Sequence, residues 1–207
     1  YKEKNIQKYA VYKYPQTRKK AMKAKKVNLK FFPEGGNLVK GVPSQVAFEA
    51  TDASRNPITL FGRIINRRKE EIGHFATIHE GRGVFTYIPT GEDADKAEVE
   101  LGGKKYRFDL PEVRSQGYVL HVDNLTSEDS IAVSVQKNTY TPSNLLGLAV
   151  IAHGKLLNSC LLNVGKNTPV SFKLDKSEWT PGVVQLVLFD TAGQIIADRL
   201  VFTRKPE

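Results

Sequence analysis

The sequence is poor in the residues that staple or anchor a chain. Among 207 residues there is one cysteine, Cys160, which excludes an intrachain disulfide. Cys160 lies in the apolar run LLNSCLL, which reads as a buried, inert thiol rather than a nucleophile, because burial disfavours the thiolate. A domain of this size buries enough core without staples, so an oxidising compartment stays open. No apolar run approaches the roughly 18–20 residues that a membrane-crossing helix needs. The chain opens on Tyr1 and its single methionine is Met22. This reads as a segment of a longer reading frame, so the lack of a signal peptide carries no information on compartment.

Net charge is also missing from most of the chain. There are 31 Lys and Arg against 22 Asp and Glu, a formal charge of +9. Ten of those bases and one acid fall in residues 1–26, which leaves 21 of each in the remainder. A domain that reads nucleic acid needs a basic folded face, so the balanced body argues against nucleic acid as a partner. The arm itself reads as a linker. Its sharper alternative is attraction to an anionic lipid, glycan or nucleic acid.

Long helices are the third absence. QTRKKAMKAKK in the arm holds good helix formers but no apolar stripe to dock. From Val27 the texture changes to period two, the signature of half-buried strands. VNLKFF, QVAFEA, FGRIIN, HFATIH, GVFTYI, AEVEL and KYRFDL predict seven strands between Val27 and Leu110. SRNP, EGRG, PTGEDAD and GGK separate them as turns. LPEVRSQG breaks the pattern and reads as an interdomain connection. Seven more segments follow: YVLHVDN, SIAVSVQ, LLGLAVIAHG, KLLNSCLLNV, PVSFKL, GVVQLVLFD and QIIADRLVF. HGK and TAG sit where hairpin turns belong. LGLAVIA is nearly continuous in apolar residues, which predicts burial on both faces or at the domain contact. Neither half alternates strands with long helices as an α/β enzyme does.

FFPEGGNLVKG, residues 31–41, places a proline beside paired glycines. A phosphate loop needs such glycines to open a helix, but a strand pattern follows here. The stretch therefore reads as a strand-exit corner. Phe31 and Phe32 point to opposite faces, one to the core and the other under the neighbouring domain or the arm. Pro33 releases the ladder, and Gly35 and Gly36 allow positive φ.

Candidate chemistry is thin. The four histidines are His74, His79, His121 and His153. His74 and His79, five apart, fall on opposite faces of one predicted strand, which disfavours a shared metal; all four read as surface or turn residues. EDAD (92–95) lacks the ordered spacing of a calcium loop and reads as a solvated turn. No GxSxG elbow is present. Glu49, Glu70, Glu71 and Glu80 read as scattered carboxylates rather than a glycosidase pair. Trp179 in KSEWTPG either caps the core beside Pro181 or, exposed, stacks on a sugar ring. The sequon NLT at 124–126 is too short a motif to carry weight.

FFPEGGNLVKGVPSQVAFEATD resembles the opening of the macroglobulin-type domains of bacterial cell-envelope proteins related to the α-macroglobulins. FGRIIN and IGHFATIHEGRGVFTYIPTG continue the likeness, and TPGVVQLVLFDTAGQIIADRLVF is similar to the hairpin that closes a following sandwich in such proteins. The resemblance spans most of residues 27–204 and is weak across 112–170. It implies immunoglobulin-like sandwiches strung in series within a larger chain, sometimes with a plug domain, exposed to the periplasm or cell surface. One feature of true α-macroglobulins, the thioester of a CGEQ-type motif, has no counterpart here: Cys160 is followed by Leu161, Leu162 and Asn163.

The expected fold is all-β: two tandem immunoglobulin-like antiparallel β-sandwiches, at 27–110 and 111–207, behind a basic arm at 1–26. The expected function is a non-enzymatic spacer and protein-interaction module, a fragment of a larger macroglobulin-like protein of the bacterial envelope, in the periplasm or on the outer-membrane surface. Its partners are other domains of the parent chain or envelope proteins. The alternative is a glycan-binding module using Trp179 and loop tyrosines. No catalytic, cofactor or metal site is expected, and the sequence assigns no ligand-binding residues.

Overall fold

A computed structural model describes residues 27–91, 95–166 and 168–204. The basic arm and most of EDAD lie outside these residues. The described chain is built of strands, with one short 3-10 turn and no α-helix.

In the first half, β1 (Asn28–Pro33) is followed by the 3-10 turn Glu34–Gly36, β2 (Leu38–Val39), β3 (Ser44–Thr51), β4 (Phe61–Ile65), β5 (Glu71–Ala76), β6 (Arg82–Tyr87), β7 (Lys96–Leu101), β8 (Lys104–Asp109) and β9 (Val113–Arg114). One sheet has the order β1-β3-β6 and the facing sheet β5-β4-β7-β8. The short β2 and β9 pair in parallel. In the second half come β10 (Tyr118–Asp123), β11 (Ser130–Lys137), β12 (Leu145–Ala152), β13 (Lys155–Asn163), β14 (Val170–Asp175), β15 (Gly182–Phe189) and β16 (Ile195–Thr203). Their sheets have the orders β10-β11-β14 and β13-β12-β15-β16. Leaving out β2 and β9, the strand order is the same in both halves. The first, second and fifth strands form one sheet, and the fourth, third, sixth and seventh the other.

Alternation makes each strand amphipathic, as the sequence predicts. β3 buries Ser44, Val46, Phe48 and Ala50, and β11 buries Ile131, Val133 and Val135. The first core is aromatic. Phe75 meets Phe48 edge-on at 5.0 Å and Phe31 at 6.0 Å, with Phe85 at 5.4 Å, geometries that favour the ring quadrupoles. Gly62 makes room for this cluster, since a Cβ there would stand 2.3 Å from the Phe75 ring. The second core is aliphatic, with Leu120, Ile131, Leu146, Leu148, Leu186 and Leu188 fully buried.

Three expectations change in detail. HFATIH is not one strand: β5 ends at Ala76, where Thr77 exchanges hydrogen bonds with Leu60. His79 therefore stands in the tight turn Ile78–Arg82 and not opposite His74 on a shared strand. β12 is buried on its inner side at Leu146, Leu148, Val150 and Ala152, but Leu145, Ala149 and Ile151 on its outer side face solvent at least in part. As a central strand it is sheltered by its neighbours rather than by another layer. Cys160 is half-buried on the edge strand β13; packing against the second core still pushes its thiol pKa up.

Candidate functional site

The corner after β1 is the joint between the halves. Phe31 enters the first core, Pro33 ends the strand, and Gly35 turns with φ 72. A side chain at Gly35 would be strained at that φ, and its Cβ would already be in van der Waals contact with Ala197 at 3.4 Å and the Leu120 carbonyl at 3.5 Å. Backbone of the first sandwich thus comes directly against β10 and β16 of the second.

Between Pro33 and Gly35 lies Glu34, 8% exposed. Its Oε2 is 2.6 Å from His121 Nδ1. Its Oε1 accepts from the Val122 backbone N–H at 3.1 Å and lies 3.3 Å from Arg199 Nε. One carboxylate of the first sandwich therefore engages two strands of the second. A buried carboxylate requires such partners, because an unpaired one costs several kcal/mol. Glu34 in turn raises the pKa of His121, by accepting its hydrogen bond and by its charge, against the opposing effect of partial burial.

Further ties surround it. Asn37 Nδ2 donates to the Ile196 carbonyl at 3.3 Å. Asn138 Nδ2 donates to the carbonyls of Lys40 (3.2 Å) and Ser115 (2.7 Å). Val39 and Val42 bury against Val119 as a small apolar cluster at the joint. Behind Asn138, fully buried Lys137 spends its ammonium on the carbonyls of Thr141 and Ser143 and on Asn144 Oδ1, at 2.5–2.9 Å. That fixes the β11–β12 crossover from which Asn138 projects.

Beside the joint lies a cleft of about 1200 Å³. Phe32, Val84, Leu125 and Phe202 give it an apolar rim, and Glu34 and Arg199 line it as well. Phe32 is 52% exposed on this cleft, so of the two covers expected for it the neighbouring sandwich is not one, and the arm lies outside the described residues. Glu34 is already committed to three donors, which suits it to holding the joint rather than to moving protons.

The other candidates stand apart from this cluster. His74 stacks on Phe61, and His153 occupies the β12–β13 turn at φ 50. Glu49 pairs with Arg82, Glu70 accepts from Asn66, and Glu80 stands beside His79; Glu71 begins β5. Trp179 packs against the second core and is half-buried. Asn124 of the sequon is engaged by Phe202 O and Lys176 Nζ. Asp95 departs from the solvated turn expected of EDAD: it is buried and accepts from Tyr87 Oη at 2.6 Å. Burial and this bond push the Tyr87 phenol pKa upward. Among the described residues no group of three or more His, Cys, Asp and Glu is placed to hold a metal.

Sequence reasoning took the corner as pure geometry and missed Glu34. The available signal was a lone acid between proline and glycine, where a turn residue needs no charge.

No family model matches the sequence, and no curated protein matches it. Solved structures with a similar fold include the native α2-macroglobulin of E. coli, at 13% identity and TM-score 0.30, over 84% of this chain and 14% of that one. Dimeric latent PorU from Porphyromonas gingivalis is similar at 13% identity and TM-score 0.48, over 87% and 20%. Domains 4–9 of the surface layer protein SbsC are similar at 12% identity and TM-score 0.39, over 86% and 31%. The chain spans less than a third of each of these proteins. At such identities and scores, the functional reading is left to the geometry.

Proposed function

We propose that the chain is a non-enzymatic tandem module of a longer macroglobulin-like cell-envelope protein. It holds flanking parts of that protein at a set geometry and presents surface for protein contacts. The observation that carries this reading is the Glu34 clasp. A single buried carboxylate just past β1 ties the first sandwich to β10 and β16 of the second, and the clasp is reinforced by two asparagine ties. A catalytic pair of sandwiches would need an open, convergent set of reactive groups. A mechanical one needs a joint that does not bend, and buried Glu34 and Asn138 both spend their polar atoms across this one.

The experiment is a distance distribution between one label in each sandwich of the full chain, for example by pulsed electron spin resonance. A single narrow distribution, broadened by Glu34→Ala, is expected. A broad distribution in the unaltered chain would overturn the rigid-module reading. Turnover in a general hydrolase screen would overturn its non-enzymatic part.

A further inference from the structure

An edge strand displays unpaired backbone N–H and C=O groups that another strand can satisfy, and proteins blunt such edges with charge, proline or covering elements. The sheet edges of this molecule can be compared on that basis. β8 carries Lys104, Lys105, Arg107 and Asp109. β1 carries Lys30 and ends at Pro33. β14 carries Lys173 and Asp175 and is preceded by Pro169. β5 begins with Glu71 and lies against β6, while β10 lies against β16.

β13 has none of these protections beyond Lys155 at its first position. It is nine residues long, stands at the end of the order β13-β12-β15-β16, and among the described residues is paired with β12 alone. Residues 156–165 contain no charge and no proline. Leu156 is 62% and Leu161 75% exposed. A bulge falls opposite Val150/Ile151, and from Asn158 to Asn163 the ladder to β12 is regular, so this part of the strand has an unbent outer edge.

We infer that β13 is a self-association edge. Two copies of the chain pair through it antiparallel about a twofold axis, joining two four-stranded sheets into one of eight. A strand meeting its own copy antiparallel presents the same backbone pattern on both sides, which a twofold contact requires. The side chains fit the same occupant. LLNSCLLN carries a leucine pair at each end of a short polar centre, so turning it end for end sets leucine near leucine. With no charge between Lys155 and Lys166, no like charges are opposed, a juxtaposition that destabilises sheets. The inference does not depend on the function proposed above.

The test is sedimentation velocity of the full chain across a dilution series at physiological salt. The unaltered chain should pass from 23.1 kDa to twice that mass as concentration rises. Leu161→Lys, at a site exposed enough to leave the monomer folded, should weaken the association by roughly tenfold or more by setting a charge against the partner's opposite leucine pair. Ile195→Lys, equally exposed on the far edge strand β16, should leave it unchanged. Amide exchange over 158–163 should slow with concentration in the unaltered chain and not in Leu161→Lys. A monomer at every concentration, a dimer indifferent to Leu161→Lys, or equal loss in both variants would each overturn the inference.

Discussion

The two halves of the chain use one strand order to make two different surfaces. On the four-stranded sheet of the first half, cross-strand register lines up Arg63, Glu98 and Arg107. Glu98 is 4% exposed, covered by the two guanidinium groups at 2.6 and 2.9 Å. On the corresponding strands of the second half, the rows read Gly147–Phe189–Ile195 and Ile151–Gln185–Leu200. The inner faces differ as well, aromatic in one and aliphatic in the other. Topology is thus set by alternation and turns, which both halves share. The chemistry of the outward side chains is free to differ: it lays a charged row across one sheet and leaves the other largely apolar around the Gln185–Asp198 pair.

The largest test of that comparison lies in the cores. Phe75→Ala removes the ring at the centre of the aromatic cluster and should cost about 3–5 kcal/mol, against about 2–5 kcal/mol for Leu148→Ala in the aliphatic core. Denaturant unfolding followed by probes in each half should show each variant weakening its own sandwich first. Equal loss in both probes for both variants would mean that the halves unfold as one body.

Glu34→Ala tests whether the clasp makes them one. Removing it strips the buried cluster of its acceptor and should cost about 2–3 kcal/mol. The transitions of the two halves should then move further apart, even though neither core has been touched. Unchanged cooperativity would assign the coupling to Val39, Val42 and Asn138 instead.

Most of this architecture was legible in the sequence. The fourteen long strands are foreshadowed by period-two or, as in LGLAVIA, nearly continuous apolar runs between glycine and proline turns, because burying one face of a sheet writes itself into alternation. Phe31, Pro33 and Gly35 were readable for the same reason, since each has one local job. Glu34, His121 and Arg199 were not. They stand 87 and 165 positions from the carboxylate they share, and nothing local marks a residue whose partner arrives through tertiary packing. The surface of β13 misled in the opposite direction: a leucine-rich run reads as core, yet the strand lies at an edge.

Glu98→Gln should have a smaller effect than the clasp variant, because the cations around it are well exposed and screened. Bonds from Arg63 and then Arg107 hold the Glu98 carboxyl below its ordinary value of 4.5. Its contribution is therefore full above that value and lost as pH falls through the lower folded one. Acid unfolding of the first sandwich should begin at higher pH in the variant, and the gap between variant and parent should narrow with added salt. A salt-independent gap would mean that packing, and not charge, separates them.

The smallest effect is expected at His121, and it runs with pH in the opposite sense. Its pKa is raised above the ordinary 6.5, first by the hydrogen bond to Glu34 and further by the charges of Glu34 and Asp123, while burial and Arg199 oppose the shift. A raised folded value means that the imidazolium strengthens the joint fully below pH 6.5 and that this contribution fades as pH rises through the folded pKa. The inter-sandwich distance distribution should accordingly be narrowest in mild acid and broaden slightly above neutrality. In His121→Asn it should lose that dependence, with Val122 N–H and Arg199 still holding Glu34. A distribution that narrows as pH rises would show that the loss of imidazole charge relieves Arg199 more than it weakens Glu34, and would reverse the sign assigned to this contact.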